Sequence, residues 1–230
     1  MIHTVLFDIG GTLVHGKSSL IGLAEQMDSS RIDHISRYMI DTFMAIYRDE
    51  NYPRFHTIKE LLAISVRKAA EKFDLPDISD QVERFYRRNH LEEGYLYDDT
   101  VTVLKELKNR GIRMILVSDA DADVLVEQLE NFGILDFFEA RVISSHVGSY
   151  KPSRRTVAEV RRHCRKPLDG ILFVGDTRVD VRTAQRLGVV SVLINRDGDF
   201  RHEADHRITG LSELLDIIET PHENRGLNHK

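Results

Sequence analysis

The sequence predicts an α/β protein: a Rossmann-like parallel sheet with helices on both faces, interrupted once by an all-helical insertion. Three observations lead there. Short apolar runs recur along the chain, most of them rich in β-branched residues and followed by Gly, Asp or Ser. Amphipathic helical patterns lie between them, which is the alternation of a parallel sheet covered on both sides. Residues 16 to about 95 break that rhythm with helical stretches alone.

Taken in order, Thr4–Phe7 is the first strand expected. The insertion follows, with helical patterns at 19–28, 33–48, 57–73 and 79–93 and breakers at Asn51-Tyr52-Pro53 and Leu75-Pro76-Asp77. Asp98–Arg110 then sets Val101, Leu104 and Leu107 on one face, with Asp98 or Asp99 as N-cap and Gly111 behind. Met114–Val117 is the second strand. Asp121–Phe132 repeats the helical arrangement with Val124, Leu125 and Leu129, ahead of Gly133. Arg141–Ile143, Ile171–Val174 and Val189–Ile194 supply three more strands. Val157, Val160 and Cys164 line one intervening helix, and Ala184 and Leu187 another that ends at Gly188. Leu211–Ile218 reads as a last helix. The expected organisation is a core at 1–15 and 96–219, a helical insertion at 16–95, and a polar tail at 220–230 with the composition of a disordered segment.

Bulk composition narrows the function classes. A formal charge of −5 argues against nucleic acid as the main partner. The insertion holds 12 Lys/Arg against 14 Asp/Glu, so it favours no charged polymer. No stretch reaches the roughly 18 apolar residues of a membrane helix, and the N-terminus lacks a basic region followed by an apolar one. A single cysteine, Cys164, fits a reducing compartment and faces the side of Val157 and Val160, as packing would have it. The expected location is the cytoplasm. Oligomeric state leaves no signature.

Four positions carry chemistry, each where a strand ends. Asp8 follows Val5-Leu6-Phe7 and precedes Gly10-Gly11-Thr12. Ser118, followed by Asp119, closes the second strand. Lys151 stands before Pro152, a residue suited to a first helical turn. Asp176 ends the run Ile171–Val174, with Asp180 one helical turn on. The carboxyl ends of parallel strands form the ligand crevice of such sheets, so neighbouring strands would bring three carboxylates, an amine and two hydroxyls together. Carboxylates that close repel unless a cation sits among them. An all-oxygen ligand set selects a hard ion, and Mg²⁺ is the expected one. Lys151, Thr12, Ser118 and the amides of the Gly-Gly turn supply donors for a dianion. A carboxylate nucleophile, Mg²⁺, a lysine and hydroxyl donors describe phosphoryl transfer through an aspartyl-phosphate.

This order and spacing resembles the haloacid dehalogenase (HAD) superfamily of hydrolases over about 1–15 and 96–219. Its first motif corresponds to Asp8–Thr12, its second to Ser118, its third to Lys151-Pro152, and its fourth to Gly175-Asp176 with Asp180. The resemblance implies that Asp8 attacks phosphorus, that Asp8, Asp176, Asp180 and the Gly10 carbonyl hold the metal, and that Thr12, Ser118, Asp119 and Lys151 meet the substrate. It also implies that the insertion is a C1-type cap contributing substrate contacts, and that the substrate is a small phosphorylated metabolite. One departure stands out. Most phosphatases of the superfamily carry a second aspartate two residues after the nucleophile, as acid and base, where this chain has Gly10.

Three readings of that departure follow. A phosphatase may draw its proton from His15, His34, Asp41, His56 or Asp119, or act on acyl and aryl phosphates that need none. A C–P or C–halogen hydrolase would dispense with the aspartate, the former requiring a cap lysine such as Lys17 or Lys59. A catalytically weak phosphate-binding module would keep the site without the rate. The phosphatase is favoured, because Asp176 and Asp180 form a metal-type motif that the dehalogenase branch does not need. Two further patterns are set aside. Asp119-Ala-Asp121-Ala-Asp123 resembles a calcium loop but has Val124 where the turn needs glycine. The run from Arg154 to Lys166 has no interleaved aromatics and reads as a solvated helix face.

Overall fold

The structure is a computed structural model and describes residues 1–49, 52 and 54–219. The 220–230 tail and two of the three residues of the Asn51-Tyr52-Pro53 breaker lie outside the described residues.

Chain order is β1 (Thr4–Phe7), β2 (Val14–His15), α1 (Ser19–Met27), α2 (Ile32–Tyr47), α3 (Ile58–Phe73), α4 (Val82–Leu91) and β3 (Tyr95–Leu96). Then come α5 (Thr100–Asn109), β4 (Arg113–Ser118), α6 (Ala122–Asn131), β5 (Ala140–Ile143), α7 (Ser144–Val147) and α8 (Arg154–His163). The chain continues with β6 (Ile171–Gly175), α9 (Arg178–Leu187), β7 (Val190–Ile194), β8 (His206–Ile208) and α10 (Glu213–Glu219).

Six strands form one parallel sheet in the order β5-β4-β1-β6-β7-β8. Alternation along the strands sends side chains to opposite faces. Val5, Phe7, Met114, Leu116, Leu172 and Val174 pack on one side with α5, α6 and α10. Leu6, Ile115, Val117, Ile171 and Phe173 pack on the other with α8 and α9. Burying each such side chain contributes roughly 1.5–3 kcal/mol. Because β4 and β6 both flank β1, connections leave in opposite directions there. That switch point opens a crevice at the carboxyl ends.

Helices α1–α4 have their own core, including Leu23, Met39, Leu62, Val66 and Tyr86, which also receives Val124 of α6. The breaks match local chemistry. Thr57 and Glu60 form a capping box at the start of α3, and Asp77 receives the amide of Ser79 ahead of α4.

Several details differ from the sequence reading. The edge strand β8 was not foreseen, its three residues being too short to show alternation. The two connections to the helical insert pair with each other, Val14 with Leu96 and His15 with Tyr95, as an antiparallel ribbon. Asp99 holds the N-cap position of α5 as expected, but its carboxylate makes no capping hydrogen bond and instead takes Arg196 at 2.9 and 3.1 Å and the Leu211 amide at 2.7 Å. Pro152 lies outside α8, whose N-cap is Ser153.

Candidate active site

The site begins where β1 ends. The Asp8 amide continues the ladder to the Val174 carbonyl at 2.9 Å, fixing the carboxylate between β4 and β6. The chain then folds back so that the Ile9 carbonyl receives the amides of Thr12, Leu13 and Val14. Gly11 makes the turn with φ +76°, and a Cβ there would lie 2.1 Å from Asp176 Oδ2, so only glycine fits. Gly10 is different: a Cβ would meet nothing within 4 Å.

Lys151 reaches this point from the loop before α8. Its buried Nζ donates to Asp8 Oδ1 and Asp180 Oδ1, both at 2.6 Å, and to the Val117 carbonyl at 3.3 Å. Asp180 is held in turn, its Oδ2 accepting the Thr177 amide at 3.1 Å and hydroxyl at 2.6 Å. Oxygens of Asp8, Asp176 and Asp180 lie within 4.8 Å of one another. Were all three carboxyls ionised, one ammonium would leave two negative charges uncompensated there, and the pKa values respond by favouring the protonated forms. Burial raises the Asp8 carboxyl well above its ordinary value, Asp180 and Asp176 push the same way, and Lys151 opposes them. Burial and Asp180 raise Asp176 to about 7. Burial would lower Lys151, but Asp180, Asp8 and Asp119 outweigh it and hold the amine charged.

The remaining residues singled out in the sequence fall as follows. Ser118 ends β4 and lines a cavity of about 360 Å³ together with Gly10, Gly11 and Asp119. Asp119 accepts the Lys151 amide at 3.0 and 3.2 Å and the Tyr47 hydroxyl of α2 at 2.6 Å. Thr12 is fully enclosed, with Oγ1 lacking any hydrogen-bond partner, and does not line the cavity. Of the candidate proton donors, only Asp119 lines it; His34 and Asp41 are exposed, His15 stacks on Tyr95, and His56 lines a different cavity. Lys17 lines the cavity, whereas Lys59 is engaged by Glu83 and Asp123.

The helical insert covers this cavity with apolar side chains, among them Leu20, Phe43 and Leu62, and with His90. His90 was not singled out in the sequence, and nothing in its local pattern marks it. Its Nδ1 lies 2.8 Å from the Tyr86 carbonyl, which can only accept, so Nδ1 carries the proton and Nε2 is left basic. Burial lowers its pKa and keeps the ring neutral, against the opposing pull of that carbonyl.

A family model for haloacid dehalogenase-like hydrolases matches residues 5–194. A glyceraldehyde 3-phosphate phosphatase of Methanopyrus kandleri is 32% identical over 238 residues, covering 95% of this chain and 97% of its own. The pyrophosphatase PpaX of Bacillus pumilus is 25% identical over 228 residues, covering 94% and 96%. The solved L-2-haloacid dehalogenase of Xanthobacter autotrophicus superposes with a TM-score of 0.73 at 19% identity, covering 95% of this chain and 98% of that one. The chain belongs to the haloacid dehalogenase-like hydrolase family and is a hydrolase.

Proposed function

We propose that the protein is a Mg²⁺-dependent phosphohydrolase acting on a small phosphorylated metabolite through an aspartyl-phosphate on Asp8. The observation that carries this reading is the close group of Asp8, Asp176 and Asp180 around the single ammonium of Lys151, which once ionised would leave two charges for a divalent cation to offset. Its all-oxygen donors suit Mg²⁺. Asp8, Asp176 and Asp180, with the Gly10 carbonyl, would hold the ion, which when bound would offset the phosphoryl charge and let Asp8 ionise. A dehalogenase, whose substrate brings a single carboxylate, has no need of that arrangement.

Within this reading, Asp8 attacks phosphorus while Lys151 and Ser118 hold the phosphoryl oxygens. No acid stands at Gly10, the Asp119 carboxylate is taken up as an acceptor by the Tyr47 hydroxyl and the Lys151 amide, and neutral His90 has no proton on Nε2 to give, so the leaving group departs unprotonated. That favours aryl and acyl phosphates and phosphoanhydrides over alkyl esters. His90 Nε2 then accepts a proton from the water that hydrolyses the aspartyl-phosphate. The insert is the cap, closing over the cavity and shaping it for a small, partly apolar substrate.

Phosphate release from aryl, acyl, sugar and nucleotide phosphates, with Mg²⁺ and with chelator, tests the proposal; a phosphonate and a haloacid are the controls. Metal-dependent release from phosphates with good leaving groups is expected. Response to a control alone would replace the reading with C–P or C–halogen cleavage. Asp8→Asn is expected to lower turnover by roughly three orders of magnitude or more while circular dichroism stays unchanged.

A further inference from the structure

A second cavity, about 380 Å³, shares no lining residue with the one at Ser118, although Lys151 of the catalytic group lines it. Its described walls are the end of α2, residues 48, 49, 52 and 54–56, the loop at 148–153, and α9. Both the insert and the core form its walls.

Its charge is the notable feature. Arg48 and Arg54 come from the insert, and Arg178, Arg182 and Arg186 from α9. The last three are spaced four residues apart and share one helix face. Lys151 also lines the crevice, whereas Asp49 is the one carboxylate residue among its described lining residues. Arg54 pairs with Glu60 at 3.6 Å, and Arg186 donates to the Pro152 carbonyl. Among the described residues, Arg48, Arg178 and Arg182 make no ion pair. A chain with net charge −5 has therefore gathered five arginines around one small space, while the ammonium of Lys151 is taken up by Asp8 and Asp180. All five arginines are exposed, so solvent screens their mutual repulsion, and an anion seated among them would gain from several guanidiniums at once. Their planar forks match phosphate oxygens in pairs, and the volume is that of a small-ligand site.

We propose that this crevice binds a chain of two or more phosphates, as in pyrophosphate, tripolyphosphate or the tail of a nucleotide. Bridging Arg48 and Arg54 to the α9 arginines, the anion holds the insert against the core. Tyr47 and Lys151 line the crevice, and each donates a hydrogen bond to Asp119, which lines the catalytic cavity. Occupancy therefore reaches the catalytic side. The anion is either a separate molecule or the distal end of one whose terminal phosphoryl group lies at Asp8. The proposal does not depend on turnover at Asp8.

Calorimetric titration of the full chain with tripolyphosphate and with orthophosphate, in metal-free buffer, tests it. Tripolyphosphate is expected to bind at least about tenfold more tightly. Arg48→Ala and Arg182→Ala should each weaken it by about tenfold or more, the magnitude of a charge-assisted bond to phosphate, while orthophosphate binding stays unchanged. Absence of binding overturns the proposal. So does binding that ignores both arginine substitutions, or that Ser118→Ala abolishes, since the anion would then lie in the catalytic cavity. Hydrolysis of an aryl monophosphate at fixed free Mg²⁺ distinguishes the source. Arginine-dependent competition by tripolyphosphate marks the distal end of a substrate, and an arginine-dependent change in kcat alone marks a separate effector.

Discussion

Gly10 has room for a side chain it does not carry, since a Cβ there meets nothing within 4 Å and its φ is not in the left-handed region. Gly10→Asp is accordingly expected to fold and to raise kcat on alkyl phosphates by about 10²–10⁴, the usual worth of an acid–base group. Steady-state rates across leaving groups of rising pKa measure this: the steep dependence of the native chain should flatten. His90→Gln probes the other half of the cycle. It should slow turnover of aryl phosphates by roughly 10²-fold while preserving a rapid burst of released phenol, because only the second step needs the base. A merely structural role would diminish burst and steady state together. The convergence of Asp8, Ser118 and Asp176 was legible because each stands at or just beyond a strand end, with Asp180 in the first turn of α9; Lys151 was expected at a strand end too, but stands in the loop between α7 and α8. His90 and Tyr47 were not legible. Their positions depend on how α2 and α4 lie over the sheet, which no local pattern encodes.

Among the elements, α3 shows how the insert is fastened. Asp121 opens α6 in the core, yet its two oxygens accept the amides of Ile58 and Lys59, each at 2.9 Å. The first turn of α3 thus gains a carboxylate from another layer in addition to its own Thr57–Glu60 box. Lys59 reinforces the join through Asp123 at 2.8 Å. Asp121→Ala should cost about 1–3 kcal/mol, the worth of hydrogen bonds to a charged acceptor, read as a lower midpoint in chemical denaturation. Hydrogen exchange at Ile58 and Lys59 should accelerate. The sequence reading took Asp121 for a helix start, and a start it is, but which helix its carboxylate caps depends on tertiary contact. Strands in the sheet centre were legible from apolar runs buried on both faces. β8 and the β2–β3 ribbon were not, because two or three residues are too few to display a period.

For the molecule as a whole, the buried charge sets a link between protons and metal. Asp176 is raised to about 7 in the folded chain against roughly 3.9 when unfolded. Between those values the folded state holds the extra proton. The group's contribution to stability is therefore fully present below roughly pH 3.9 and is lost as pH rises through about 7. Under the proposed function Mg²⁺ would have to displace that proton, so its apparent affinity should fall by up to about tenfold per pH unit below 7. Thermal unfolding with and without Mg²⁺ should show a large rise in Tm at pH 8 that shrinks toward pH 5. A rise independent of pH would show that the ion is not held at this carboxylate.

The paired connections at β2 and β3 carry a mechanical consequence. Two independent tethers would let the insert swing, twist and slide. Because Val14 lies opposite Leu96 and His15 opposite Tyr95 in an antiparallel pair, the tethers form one strip, compliant to bending across its width and stiff to shear along its length. Bending of that strip would be the softest displacement open to the insert, and the Asp121 carboxylate on the first turn of α3 resists it from the far side.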